Sequence, residues 1–327
     1  MYKINLKNTS QFPCSNEDTI LIGAQKENTT LNYSCKTGRC KSCKAKVLEG
    51  TSITIADEIG LTAEEKKEGF ILTCVRKPTS DLALDIEDLS GYYLEPIRTL
   101  PSKVDSIKKF SDNVIELRLR VPPQSNFNYL PGQYINIIKG DYKRSYSIAN
   151  NDCSNGIVLF IKNYEGGKFS TYLFDQAKIN DLLRIEGPLG TFFYRKTNKT
   201  NIVFLATGTG IAPIKSILEN MEQNNLEIKN KNIYLFFGGK TKEDLFWEPK
   251  FKNIKVHFIP VLSRTENNWN GEKGYIQDVL ITKKIDLSDS VVYACGSVKM
   301  IKNAKEIAVN NGMTEELFYS DEFISSN

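Results

Sequence analysis

A single histidine, His257, is all the imidazole this 327-residue chain possesses. It stands in an apolar stretch that reads as a strand, with the ring satisfied in a core, so neither a Ser-His nor a Cys-His nucleophile system can be assembled. Excess charge is also lacking: 43 Lys and Arg against 39 Asp and Glu leave +4, with no basic block, and no nucleic acid is expected as a partner. No run approaches the roughly 18 consecutive apolar residues of a membrane span. The first residues, Met1-Tyr-Lys-Ile-Asn-Leu-Lys-Asn8, alternate apolar and polar like a strand instead of presenting the apolar centre of a signal peptide. There is no internal repeat and no low-complexity segment.

Cysteine is present, but not as a disulfide framework. Four of the seven fall into one pattern, which leaves Cys14, Cys153 and Cys295 as an odd, scattered remainder; a reducing cytoplasm is the expected location. The four are Cys35, Cys40 and Cys43, spaced C-x4-C-x2-C, followed by a distant Cys74. Zinc sites more often come as two short C-x2-4-C knuckles. Three ligands within nine residues and a fourth alone is the plant-type [2Fe-2S] spacing. Gly38 inside the loop suits close approach of backbone amides to sulfur.

The chain divides by period. Residues 1–88 read as a compact α+β cluster domain: a strand at Tyr2–Leu6, a helix after Asp18 or Thr19, the cysteine loop, a capping box at Thr62-Ala-Glu-Glu65, an apolar segment bringing in Cys74, and a closing strand at Asp81–Ile86. Residues 89–101, with Gly91, Pro96 and Pro101, read as a linker. Residues 102–196 are strand-rich. In Val114–Val121 the apolar Ile115, Leu117, Leu119 and Val121 alternate with Glu116, Arg118 and Arg120, and the many short strands predict an antiparallel β-barrel. Residues 197–327 alternate apolar strands with helical patterns, predicting an α/β domain with a parallel sheet covered on both faces.

Several short motifs have two readings each. Thr207-Gly-Thr-Gly-Ile-Ala-Pro213 lies where strand becomes helix and can receive a pyrophosphate on free amides; it can equally be a plain tight turn, since Pro213 departs from the dinucleotide fingerprint. Arg144-Ser-Tyr-Ser147 can be an ordinary strand. Gly166-Gly-Lys-Phe-Ser170 is a second phosphate-receiving turn or a hairpin loop. Tyr293-Ala-Cys-Gly-Ser297 ends a buried strand at the edge where α/β sheets bind ligands, and Cys295 there is also consistent with a structural thiol.

Taken in order over nearly the whole chain, the cysteine pattern, R-x-Y-S, G-x-x-S, T-G-T-G-x-A-P and Y-A-C-G resemble the ferredoxin-NADP reductase superfamily, in the subgroup with an N-terminal ferredoxin. Tyr129-Leu-Pro-Gly-Gln-Tyr134, Arg144–Asn150, Leu183–Phe193 and Phe318-Tyr-Ser-Asp-Glu-Phe323 are most similar to the CDP-6-deoxy-hexulose-3-dehydrase reductases. The resemblance implies FAD, NADH and a [2Fe-2S] cluster on Cys35, Cys40, Cys43 and Cys74. It implies that Arg144 neutralises the flavin pyrophosphate, held also by Gly167 and Ser170, that Tyr146 lies against the isoalloxazine, and that Ser147 bonds near the hydride-accepting nitrogen. Thr209 and Gly210 would contact the nicotinamide nucleotide, Cys295 would border the nicotinamide, and Phe323 would cover the flavin until the nicotinamide displaces it. Either Asp321 or Glu322 would supply the acid near the C-terminal end.

The implied activity is an NADH-dependent reductase passing electrons through FAD and the cluster to a protein acceptor, an iron-sulfur sugar dehydrase of 3,6-dideoxyhexose synthesis. Two other readings stay open: the reductase component of an aromatic-ring or alkane oxygenase, and a flavin and iron-sulfur redox sensor that turns over slowly. Gly239–Asp244 mixes acidic and basic residues, and Ser263-Arg264 can hold a 2′-phosphate or end a solvated strand, so the residues alone leave NADH and NADPH both open. Arg39 and Lys41 in the cysteine loop would raise the cluster's potential and could face an acidic acceptor.

Overall fold

The computed structural model describes residues 1–7, 10–164, 166–224, 228–264 and 268–323. They form two compact units, Met1–Leu94 and Glu95–Phe323.

The first unit runs β1 (Tyr2–Leu6), β2 (Gln11–Cys14), α1 (Ile20–Lys26), β3 (Lys44–Glu49), β4 (Ser52–Thr54), α2 (Ala63–Lys67), β5 (Phe70–Leu72), β6 (Arg76–Pro78) and β7 (Leu82–Asp85). Its sheet has the order β2-β1-β7-β3-β5, with β1 and β7 parallel and the other pairs antiparallel. Alternation in β1 turns Ile4 and Leu6 inward, where they meet Ile20, Leu21 and Ala24 of α1. Thr19 caps α1, its Oγ1 accepting from Ile22 N at 3.3 Å. The capping box opens α2: Thr62 Oγ1 accepts from Glu65 N at 3.2 Å, and Glu65 Oε2 accepts from Thr62 N at 2.9 Å. Every buried member of this core lies between Ile4 and Ile86.

The second unit begins with β8 (Arg98–Ser111), β9 (Val114–Arg120), β10 (Tyr134–Lys139), β11 (Tyr142–Ser147), β12 (Ile157–Lys162), α3 (Lys168–Thr171) and β13 (Leu182–Leu189). The strands are antiparallel in the order β11-β10-β13-β8-β9-β12, and a bridge between Ile148 and Leu159 joins the two outer edges into a barrel. Leu117 and Leu119 of β9 fill its interior with Ile135, Ile137, Leu159 and Ile185.

The stretch expected to be a linker, 89–101, is taken into structure at both ends. Leu89 is buried and its amide donates to Thr30 O at 2.7 Å, while Arg98–Pro101 already belong to β8. Pro101 did not break the strand, because β8 there has β13 on one side only and β9 joins from Lys103. A missing N–H on an open side forfeits no ladder bond.

The chain continues through β14 (Asn201–Thr207), α4 (Ile211–Gln223), β15 (Asn232–Gly239), β16 (Val256–Leu262), β17 (Glu272–Lys273), α5 (Ile276–Thr282), β18 (Ser290–Ser297), α6 (Val298–Asn310) and β19 (Phe318–Phe323). All six strands are parallel, ordered β17-β16-β15-β14-β18-β19. The continuous apolar run in β14 serves two cores. Ile202, Phe204 and Ala206 face α4, and Val203 and Leu205 face α5 and α6. The α4-side core also contains Ala149, Val158, Phe160 and Phe192, so barrel and parallel sheet share it. No helix among the described residues is long and apolar enough to cross a membrane.

His257 corrects the expectation of a core residue. It is exposed, its ring stacked on Tyr234 at 5.0 Å. The reason is position: β16 meets only the two-residue β17 on its outer side, and that pairing starts at Val261.

Candidate functional site

The cysteine loop is a sulfur cradle. Cys40, Cys43 and Cys74 are buried and Cys35 is half-buried. The amides of Thr37 and Cys40 both donate to Cys35 Sγ at 3.4 Å, and those of Gly38 and Ser42 aim at the sulfurs of Cys74 and Cys40. Gly38 is required at its place: its φ is +72°, and a Cβ would press on the carbonyl of Asp57. The thiols pair two and two. The Cys35 thiol neighbours that of Cys40, and the Cys74 thiol neighbours that of Cys43. Two irons sharing four thiolates need such pairs, whereas one zinc would draw all four sulfurs to a point. Among the described residues no three Cys, His, Asp or Glu side chains gather around a single ion position.

The two cations of the loop differ. Arg39 is exposed. Lys41 is tied to Glu65 at 2.7 Å, and Lys44 reaches the same carboxylate at 3.2 Å. Burial works against the Glu65 charge, but the hydrogen bonds from Lys41 and the Thr62 amide, with Lys44 nearby, hold its pKa down at about 2. Lys41 is thus largely neutralised, and its expected effect on the cluster is reduced.

In the barrel, β11 carries Arg144, Tyr146 and Ser147, opposite Ile137, Ile135 and Tyr134 of β10. Arg144 and Tyr146 share one strand face and Ser147 takes the other. The Arg144 guanidinium donates to Lys143 O at 2.9 Å and has no carboxylate partner among the described residues. Tyr146 is half-buried, which raises its pKa, and its ring lies 6.4 Å from Phe169 of α3. Ser147 is buried, and its hydroxyl makes no hydrogen bond to a described residue. Gly167 caps α3, and Ser170 Oγ turns back to donate to Gly167 O at 2.9 Å. Next to these residues opens a cavity of about 730 Å³ lined by Lys139, Tyr142, Gly166, Lys168, Phe169 and Tyr172 among others, within the range of nucleotide-sized pockets.

At the C-terminal edge of the parallel sheet the remaining expected residues converge. β14 ends at Thr207, and Gly208–Gly210 turns into α4. Gly208, at φ +55°, faces open space. Gly210 is locked instead: a Cβ there would overlap the carbonyl of Cys295. Gly210 therefore meets the Cys295 backbone from the turn between β14 and α4. The Cys295 thiol is wholly buried, and burial together with the Asp321 charge holds it well above the ordinary thiol range. Asp321 is buried beside Cys295 in register; Glu322 is half-buried opposite Gly296, and Phe323 half-buried opposite Ser297. Phe323 packs at the margin of the α4-side core, while Tyr146 packs on the barrel core. Near the coenzyme-selecting candidates, Asp244 is spent on its own turn, accepting from Lys240 N at 2.8 Å, and Arg264 N donates to Lys240 O at 3.1 Å.

Three groups of contacts escaped sequence reading. Ser216 Oγ and Tyr129 Oη both donate to Asn150 O, at 2.6 and 3.0 Å, and Lys215 Nζ donates to Ala149 O at 2.7 Å. The Ser216 and Lys215 bonds fasten α4 to the end of the Arg144–Asn150 segment. The signal was a polar residue between Ile214 and Ile217 on a buried helix face. Tyr293 Oη accepts from Arg195 N at 2.9 Å and pins the connection between barrel and sheet. Glu58 and Arg76, beside Cys74, form the third; nothing in the sequence separates that acid from its exposed neighbours.

Three family models cover the chain: a 2Fe-2S iron-sulfur cluster binding domain over residues 4–79, an oxidoreductase FAD-binding domain over 101–194 and an oxidoreductase NAD-binding domain over 204–306. The CDP-6-deoxy-L-threo-D-glycero-4-hexulose-3-dehydrase reductase of Yersinia pestis is 39% identical over 96% of this chain and 96% of its own. The reductase component of propane 2-monooxygenase from Rhodococcus jostii is 28% identical, over 94% of this chain and 87% of its own. Among solved structures, an Amycolatopsis cytochrome P450 reductase shares the fold with a TM-score of 0.75 at 21% identity, covering 99% of both chains. The protein is an NAD(P)H-dependent oxidoreductase with sites for FAD, a nicotinamide dinucleotide and a [2Fe-2S] cluster, and its electrons go to a protein acceptor. The chain belongs to the ferredoxin-NADP reductase superfamily, in the group of CDP-6-deoxy-hexulose-3-dehydrase reductases that carry a plant-type ferredoxin domain.

Proposed function

We propose that the protein takes electrons from NADH and delivers them to a CDP-6-deoxy-hexulose-3-dehydrase in the cytoplasm, for synthesis of 3,6-dideoxyhexoses. The observation that carries the choice of acceptor is the 39% identity along 96% of the chain to a reductase of that name, against 28% to a monooxygenase reductase.

When bound, FAD accepts a hydride as a two-electron unit and yields electrons singly to the cluster. The residues of the chain supply order and distance. Arg144, which has no carboxylate partner among the described residues, is available to a pyrophosphate, and the Gly167 turn faces the same charge. Tyr146 offers its ring to the isoalloxazine, and the uncommitted Ser147 hydroxyl is a donor for the reacting flavin nitrogen. The open space at Gly208 admits the dinucleotide backbone, with Thr209 and Gly210 beneath it. Cys295 shapes the nicotinamide end as a neutral thiol, and Phe323 closes over the flavin. Of the two acids, Asp321 is the one beside Cys295. Cys35, Cys40, Cys43 and Cys74 hold the cluster as two thiolate pairs.

A reconstituted assay tests the acceptor. NADH oxidation is followed anaerobically with a purified CDP-6-deoxy-hexulose-3-dehydrase and its sugar substrate, and in parallel with a purified monooxygenase hydroxylase. Deoxygenated sugar formed only when this protein is present supports the proposal; turnover with the hydroxylase alone sinks it.

A further inference from the structure

Cys74 is the cluster ligand that the sequence leaves farthest from its companions, and one buried carboxylate bonds to the chain on both sides of it. It sits in a 3-10 turn, Thr73–Val75, between β5 and β6. Glu58 Oε1 accepts from Leu72 N at 2.7 Å, just before that turn, and from Arg76 Nε at 3.1 Å, just after it; Glu58 Oε2 accepts from Arg76 Nη2 at 2.7 Å. Arg76 Nη1 then donates to Ser52 O at 3.2 Å. Glu58 is 5% exposed. The segment that bears it also touches the cysteine loop: the Asp57 carbonyl abuts Gly38, Gly60 N donates to Gly38 O at 2.9 Å, and Gly60 has no room for a Cβ against Cys40 O. From the other side, Thr73 N and Oγ1 both donate to Cys43 O, at 3.1 and 3.3 Å.

We propose that Glu58 is the positioning residue of the iron-sulfur site, fastening both ends of the Cys74 turn to the segment that backs the Cys35–Cys43 loop, so that the two thiolate pairs keep the separation two bridged irons require. A fold-stabilising acid could sit anywhere in this domain. Here the single carboxylate bonds to the residue two before Cys74 and the residue two after it. Partners behind metal ligands orient them, and their loss costs roughly ten- to hundredfold in metal retention. Removing the acid would also leave the Arg76 charge and the Leu72 amide without their acceptor.

The inference rests on the cluster assignment, and full-length protein loaded with FAD and cluster tests it. The variants are Glu58→Ala and Glu58→Gln, whose amide oxygen can still accept from Leu72 N. Three readouts are compared: EPR g-values of the dithionite-reduced protein, the half-time of iron release to a ferrous chelator, and far-UV ellipticity. Glu58→Ala is expected to release iron about tenfold faster and to shift the g-values, with ellipticity, FAD content and flavin reduction by NADH as in the parent. Glu58→Gln is expected to recover the parent g-values and to lie between the two in iron release. Parent g-values and release rate in Glu58→Ala would overturn the proposal. Iron loss that only tracks loss of ellipticity would overturn it too, by assigning Glu58 to the fold alone. A parent protein without [2Fe-2S] absorbance would instead remove the cluster assignment beneath it.

Discussion

Ser216 of α4 donates to the carbonyl oxygen of Asn150 at 2.6 Å, and so links the helix that begins at the dinucleotide turn to the segment that carries Arg144, Tyr146 and Ser147. The same oxygen accepts from Tyr129 Oη, so Ser216→Ala removes one of two bonds instead of stranding a buried acceptor. The expected loss of stability is about 1 kcal/mol. Flavin content should stay at the parent level, while anaerobic stopped-flow reduction of the flavin by NADH slows by about tenfold, because small misplacements of reacting groups are costly. A parent-like reduction rate would count against a coupling role.

Two glycines two positions apart should fail in different ways. Gly210→Ala drives a methyl into the Cys295 carbonyl and should destabilise by roughly 1–3 kcal/mol through overpacking. Gly208→Ala meets no neighbouring atom, though its φ of +55° adds about 1 kcal/mol of strain. Its methyl enters the space proposed for the dinucleotide, so its NADH dissociation constant should rise by more than its melting temperature accounts for. Calorimetric titration beside thermal unfolding separates the two; equal behaviour would place the dinucleotide elsewhere.

Alkali should weaken the nucleotide-binding half. Cys295 and Tyr293 are buried and titrate in the folded protein well above 9.0 and 10.0, their ordinary values. Raised folded pKa values mean that the folded chain keeps protons the unfolded chain gives up. The contribution is complete below about pH 9 and declines above it. The melting temperature should hold steady from about pH 7.5 to 8.5 and fall beyond 9, less steeply in Cys295→Ala. A curve unchanged by that substitution would contradict the assignment.

Charge reversal in the cysteine loop should also split. Arg39 is exposed, and Arg39→Glu should slow electron transfer to an acidic acceptor at low salt, with the difference fading as salt is added and with flavin reduction by NADH unaltered. Lys41→Glu should act chiefly on stability, since it sets a second acid against Glu65. Matching acceptor kinetics for the parent and Arg39→Glu at low salt would remove Arg39 from the docking face.

Elements governed by short-range patterns could be read directly. The capping box at Thr62–Glu65, the alternation in β9 and the apolar run of β14 each declare a local state that packing then confirms. The cysteine spacing pointed to the 2Fe-2S domain that the family model matches over residues 4–79. What escaped depends on partners distant in sequence. Pro101 reads as a break because nothing local says that its N–H side is open, and His257 reads as buried because nothing local says that β16 is poorly covered. Glu58 resembles Asp57 and Glu64 in the sequence, yet it alone of the three is buried. Asp321 and Glu322 became distinguishable only through the register of β19 on β18, which sets Asp321 next to Cys295.

The two units also differ in how they are filled. The cluster domain draws its core from residues 4–86 alone, whereas Ala149, Val158, Phe160 and Phe192 of the barrel are built into the packing around α4. Recombination between relatives therefore has a natural crossover near residue 95 and none between barrel and sheet. The front segment can be exchanged as a cassette for that of an oxygenase reductase, redirecting electrons to a new client, while the hydride-handling remainder must be inherited whole.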